Sequence, residues 1–353
     1  MNCKVDGRTD SVVNDTTLRV LRTGSARRCA LAALALAACA FLGSCTPAFK
    51  LTPSVPIRLA SYEWPGSYWI DVAWKKGWFP EAGLNVERVD VDNSYFPSLE
   101  RVASGQLDAM GFTQFDLVRL VAGGNDLVGI AAIDYSEGAE ALVAKSEIHG
   151  LRDLKGKRLA LHRGTYLEYL LTVLAEREGL NLADVTLLDR TSEASAAEFL
   201  AGKIDALFVW EPYVSQARAG GGHTLFSTAD FPGLTYSVLT FRRDFVQAHP
   251  KEIAKLMEVW HRGERYVHEH PDESCAIVAQ LFDDPLSEVR DLLHTVRILD
   301  VADNGRAFSY AAGFDSLHGS WRRMNDFMLE RGLVTARVDS PAHLDSSFIR
   351  QLE

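Results

Sequence analysis

The sequence predicts an α/β protein of two lobes, each a mainly parallel sheet flanked by helices, with two hinge crossings between them. Two observations carry this reading: short apolar runs alternate with amphipathic segments from residue 57 onward, and one helix-turn-strand phrase occurs twice, offset by 97 residues. The runs "IRLAS" (57–61), "NVERVDV" (85–91), "DAMGF" (108–112) and "DLVGIAAI" (126–133) are separated by helix-like stretches, which is the grammar of βαβ units. "KRLALH", "VTLLD", "DALFVW" and "HTLFS" repeat it over 157–227. The doubled phrase is "LERVASGQLDAMGF" (99–112) against "AAEFLAGKIDALFV" (196–209). In each copy a Gly (Gly105, Gly202) suits a left-handed helix C-cap and an Asp (Asp108, Asp205) is placed to close the turn into a strand.

A strand around Glu140–Lys145 marks the first crossing, and "GLTYSVLTFRRDF" (233–245) the second. Beyond it "KEIAKLMEVWHRGERYVHEH" has apolar spacings of three and four, a helix returning to the first lobe. The expected organisation is a signal segment at 1–44, a linker at 45–54, lobe one at 55–139, lobe two at 140–240 and a helical return to lobe one at 241–353. Clefts between hinged lobes are where small ligands bind.

The first residues follow a different logic. Arg27 and Arg28 precede the apolar run "CALAALALAACAFLG" and then small residues and Cys45, the order of a secretory signal. About 15 apolar residues fall short of the ~20 that span a bilayer. "LGSC" (42–45) resembles a bacterial lipoprotein processing site, with "LAAC" (36–39) as the alternative, so Cys45 is the expected lipidated residue and Cys39 the second choice. Cleavage before Cys45 leaves only Cys45 and Cys275, and an acylated Cys45 leaves no intrachain disulfide. Residues 1–44 carry six Lys/Arg and three Asp/Glu, so their loss moves the formal charge from −10 to −13. Such an acidic body excludes nucleic acid as an expected partner.

The segments "GWFPEAGLNVE" (77–87), "LERVASGQLDA", "DLKGKRLAL" (153–161), "FLAGKIDALFVWEP" (199–212) and "RRDFVQAHP" (242–250) together resemble type II periplasmic solute-binding proteins. The resemblance is to the nitrate, taurine and alkanesulfonate group, which includes binders of thiamine pyrimidine precursors, and it spans roughly 56–270. It implies a monomeric receptor that captures a small-molecule ligand, delivers it to the permease and ATPase subunits of an ABC importer, touches the membrane through its N-terminal lipid and needs no cofactor.

In such a cleft the ligand sits beyond the C-terminal ends of parallel strands. Tyr62 and Trp64 offer flat walls after the first strand, and Gly66 and Ser67 leave backbone N–H groups open at a helix start. Trp69, Val72 and Ala73, with Ile70 and Trp74 beside them, read as a core stripe of the helix that follows, and Tyr68 as a further stacking surface. Thr113 and Gln114 follow the third strand, with N-capping as the plain alternative for Thr113. Asp134, Ser136 and Glu137 lie at the first crossing, Trp210 and Glu211 at a strand end before Pro212, and Tyr236 at the second crossing. By resemblance, Gly164 and Thr165 mark a place where the family's anionic ligands rest on helix N–H groups.

The charges depart from an oxyanion pocket: Glu63, Asp134, Glu137 and Glu211 stand against Arg163 and His162. Buried carboxylates need a partner, which tilts the expectation toward an amine-bearing, zwitterionic or pyrimidine-like ligand. An enzyme is not expected, because no nucleophile elbow, phosphate loop or HExxH occurs and the cysteine-rich iron-binding stretch of pyrimidine synthases is missing. Two alternatives are a ligand-sensing module for a signalling partner and a metal site at His261, His268 and His270, whose spacing is awkward for one tetrahedral ion.

Overall fold

The computed structural model describes residues 55–91 and 94–353; the signal segment, Cys39, Cys45 and the 45–54 linker lie outside them. Residues 53–353 form one compact unit. Its first part runs β1 (Pro56–Ser61), α1 (Tyr68–Lys76), α2 (Trp78–Glu81), β2 (Asn85–Asp90), α3 (Tyr95–Ala103), β3 (Ala109–Thr113), α4 (Gln114–Ala122) and β4 (Leu127–Ser136). The middle follows as β5 (Glu140–Ala144), β6 (Arg158–Leu161), α5 (Tyr166–Glu178), β7 (Thr186–Asp189), α6 (Ser192–Leu200), β8 (Ala206–Trp210), α7 (Tyr213–Ala219) and β9 (His223–Ser227). Last come β10 (Tyr236–Arg242), α8 (Arg243–Ala248), α9 (Pro250–Glu269), α10 (Pro271–Phe282), α11 (Leu286–Leu293), β11 (Val296–Ile298), α12 (Val301–Ala307) and α13 (Leu317–Glu330).

These strands make two sheets, of order β11-β4-β10-β3-β1-β2 and β7-β6-β8-β5-β9. In the first, β1 pairs in parallel with β2 and β3, while β10 is antiparallel to β3 and β4. In the second, β6 is parallel to β7 and β8, and β5 runs antiparallel. The two-lobe α/β architecture is therefore the observed one. The boundaries shift, however. β10 is fully paired between β3 and β4, so the chain has re-entered the first sheet by Tyr236, not by residue 241. Likewise 140–144 is not a crossing strand but a strand of the second sheet; the crossing itself is the short Glu137–Ala139 link.

The doubled phrase has a physical meaning beyond its turn. Gly105 and Gly202 both adopt positive φ, 78° and 71°, as helix exits require. Asp108 then accepts from the Arg58 backbone N–H at 2.8 Å and from its Nε and Nη2 at 2.9 and 2.6 Å. Asp205 takes the same three bonds from Arg158, at 2.9, 3.2 and 3.2 Å. Each Asp thus fastens the start of its lobe's leading strand to the strand beside it, a bidentate clamp used once per lobe rather than a turn closure.

One face of the first sheet is covered by α1, α9 and α10. Trp69, Val72 and Ala73 are buried as the helical stripe predicts, but Tyr68 is buried with them and Trp74 is 47 % exposed, so neither holds its expected place. Gly263 of α9 lets that helix close on α1, since a Cβ there would stand 2.8 Å from the Cβ of Trp69. The other face carries α3, α4 and α13, and its apolar core continues into the second lobe. Phe115 of α4, Tyr169 of α5 and Phe327 of α13 meet there, with ring centroids 5.5–6.0 Å apart.

Candidate functional site

β1 ends in the aromatic turn. Tyr62 donates its hydroxyl to the Gly111 carbonyl at 2.8 Å and turns its ring edge to Tyr95, 5.9 Å away. Trp64 has extended backbone before the Pro65–Ser67 turn, and its Nε1–H donates to Asp134 Oδ2 at 3.1 Å. Asp134 is fully buried, and that burial pushes its carboxyl up to about 7. It lies directly over Gly66: a Cβ there would come 1.7 Å from Asp134 Oδ2. Gly66 is therefore required for close approach of this carboxylate. Ser67 is buried beside it, its Oγ without a partner.

At the end of β3, Thr113 caps α4 by accepting from the Asp116 N–H, and its own N–H goes to the Tyr95 hydroxyl at 3.0 Å. Gln114 turns away from the cleft: its amide donates to the Leu317 carbonyl and accepts from Ser320, tying α4 to α13. At the first crossing Ser136 Oγ bonds Thr228 Oγ1 at 2.6 Å, whereas Glu137 is exposed. Glu140, the first residue of β5, is 1 % exposed; burial lifts its carboxyl above the usual range, and hydroxyls of Ser136, Tyr166 and Thr228 surround it.

In the second lobe, the α5 N-terminus is already occupied by this chain. Gly164 has φ 72° and gives its N–H to Glu168 Oε2 at 2.8 Å, Arg163 pairs with the same carboxylate at 3.1 Å, and Thr165 caps the helix. An anionic solute would have to displace Glu168. Trp210, ending β8, stacks on Tyr166 at 6.0 Å with planes 21° apart. Glu211 accepts from the N–H and Oγ of Ser215, both at 3.0 Å, and so caps α7.

Between the sheets lies an open cleft of about 840 Å³. Of the expected residues, Tyr62, Trp64, Thr113, Ser136, Trp210 and Glu211 line it. Asp134, Gly66 and Ser67 stand behind Trp64, while Gln114, Glu137, Gly164 and Thr165 are not on its wall. Tyr236 faces elsewhere, into a separate cavity of about 170 Å³ beside Arg297 and Arg306. Tyr95, Phe96, Tyr166 and Glu140 complete the walls, and the Asp284–Leu292 segment closes one side. Tyr95–Phe96 in "NSYFP" and Tyr166 in "GTYLEY" were readable as aromatics opening helices after strands; nothing local in the sequence marks 284–292. The C-terminal histidines do not converge: His261 Nδ1 pairs with Glu264 at 2.8 Å and His270 packs on Tyr266. Among the described residues no three His, Cys, Asp or Glu are grouped to hold a metal.

A family described as NMT1/THI5 like matches residues 64–274, from Trp64 through both lobes. The chain belongs to that family. A Bacillus subtilis (strain 168) protein named as an aliphatic sulfonates-binding protein is 24% identical over 287 residues, 79% of this chain and 83% of its own length. The crystal structure of the periplasmic aliphatic sulphonate binding protein of Escherichia coli superposes with a TM-score of 0.68 at 20% identity, covering 82% of this chain and 91% of that one. The periplasmic nitrate-binding protein of Synechocystis PCC 6803 gives 0.64 at 13% identity, over 84% and 88%. This NMT1/THI5-like protein shares the fold of these periplasmic binding proteins.

Proposed function

We propose that the chain is the exported, lipid-anchored receptor of an ATP-driven importer, monomeric, closing its two lobes on one small organic solute. The observation that carries this is the open cleft of about 840 Å³ with aromatic walls from both lobes, the size and lining of a small-molecule site. Phe96 of the first lobe reaches Trp210 and His162 of the second, at 6.2 and 5.2 Å, so the cleft's rim is contacted from both sides. Relatives are named for sulfonates, taurine and nitrate, which puts small polar solutes first among the classes to test. Tyr62, Trp64, Thr113, Ser136, Trp210 and Glu211 are the contacts, with Tyr95, Tyr166 and Glu140 beside them.

Among the described residues no helix is long and apolar enough to cross a membrane; in this reading the anchor is the lipid on Cys45. The test is native mass spectrometry of the chain as purified, joined to tryptophan fluorescence titration, since Trp64 and Trp210 both face the cavity. One intact solute per chain and a saturable fluorescence change are expected; a solute-free chain deaf to every class would overturn the reading. Labelling with a radioactive fatty acid should be lost in Cys45→Ser and kept in Cys39→Ser.

A further inference from the structure

The wall chemistry of the cleft is one-sided. Glu140 sits on its floor, and Glu63, Glu193, Glu211, Asp284, Glu288 and Asp291 are distributed around it, while no Lys, Arg or His is among the described residues of the lining. Apart from Glu63, none of these carboxylates is in an ion pair with another described residue. The rim carboxylates are half-exposed or exposed and cost little where they stand. Glu140 is different, because at 1 % exposure its carboxylate has hydroxyls and a backbone N–H for partners and no ion pair with a described residue. A buried carboxylate without a counter-charge is expensive, and closing the lobes removes the remaining water.

Independent features agree. Thr235 lines the same cavity, is 6 % exposed, and its Oγ1 has no partner, so a polar group is left waiting for a donor or acceptor from the solute. The α5 start is taken by Glu168, which accepts from the Gly164 N–H, while at the α4 start Thr113 Oγ1 caps the Asp116 N–H and the Asp116 carboxylate stands beside it, accepting from Thr113 Oγ1 at 2.8 Å and Tyr95 at 2.9 Å. The aromatic faces of Tyr166, Trp210, Tyr62 and Trp64 supply negative π-surface to a charged nitrogen.

We propose that the cleft is specific for a small organic cation, an ammonium or quaternary ammonium compound, with Glu140 as its buried counter-charge and the aromatic walls as its cage. This rests on the receptor reading above and departs from the anions for which the relatives are named. The rim carboxylates raise the local concentration of such a solute and repel anions.

The chain is unfolded and refolded to strip carried solute, then titrated with putrescine, choline, ethanesulfonate and nitrate at fixed ionic strength, following the melting temperature and tryptophan emission. Putrescine or choline should stabilise it and the two anions should not. Glu140→Gln should weaken the cation at least tenfold without lowering the melting temperature of the empty protein; should that variant not fold, the rim double variant Glu193→Gln/Asp291→Asn should weaken it about threefold. Binding of ethanesulfonate or nitrate in place of the cations overturns the cation assignment and leaves a receptor. Cation binding indifferent to these substitutions overturns the role given to the carboxylates. If none of the four binds, the solute carried by the unstripped chain decides: a cation upholds the assignment, a neutral or anionic compound overturns it, and no solute at all overturns the receptor reading with it.

Discussion

Gly66 is the residue on which the opening turn depends. The Asp134 carboxylate occupies the space a side chain would need, so Gly66→Ala forces either that carboxylate or the turn to move. Overpacking of this kind costs about 1–3 kcal/mol and should lower the melting temperature by several degrees. Asp134 makes a pH prediction of definite sign. Its carboxyl is raised from the ordinary range to about 7 by burial, so the folded state holds a proton that the unfolded chain releases near pH 4. Its contribution to stability is whole below about pH 4 and is lost as pH rises through about 7. Asp134→Asn keeps an oxygen for the Trp64 indole and should remove this part of the decline, so wild type and variant melts, compared at pH 4 and pH 8, should converge at the acid end and separate in the variant's favour at the alkaline end. Of the aromatic turn, Tyr62 and Trp64 were legible from sequence as cavity walls because they fall between a strand end and a helix start. Ser67 and Tyr68 were not, because the twist that buries them is set by Asp134 and by the Val289 carbonyl, 67 and 221 residues away in sequence.

Among the elements, α13 touches both lobes. Phe327 packs on Phe115 of the first lobe and Tyr169 of the second, while Arg323 and Arg331 of the same stretch reach Glu176 and Glu168 at 3.5 and 3.7 Å. The exposed Arg323–Glu176 pair contributes little, whereas the buried ring contributes much. Phe327→Ala should cost on the order of 3 kcal/mol in a denaturant melt, and Arg323→Ala less than about 1. Ten of the eleven described strands were legible as short runs between helix-like stretches, but β11, three residues pairing with the end of β4, was not, because it lies in a stretch that reads as helical. β10 shows where this stops: "YSVLTF" announces a buried strand, but an apolar run carries no label for its sheet, and only its pairing with β3 and β4 assigns it to the first. The Asp284–Leu292 wall was invisible for a related reason, because its place over the cleft follows from helices packing on α1 and not from any local pattern.

For the whole molecule, the two clamps Arg58–Asp108 and Arg158–Asp205 express a single construction used twice, with a shared hinge and a cleft between. The doubled phrase made that construction readable from the chain alone. What it could not convey was polarity: the α5 start that looks open in sequence is bonded by Glu168, the α4 start is capped by Thr113 with the Asp116 carboxylate beside it, and the site that results is lined by carboxylates and aromatic rings. Composition hinted at this through its acidic balance, but a net charge does not say which carboxylates face inward. The measurement that tests the central claim most directly is native mass spectrometry of the unstripped chain beside its Trp64→Ala/Trp210→Ala variant. One small basic compound held by the wild type and lost from the variant is the predicted result; an unoccupied wild type, or the same occupancy in both, would contradict the cleft as the binding site.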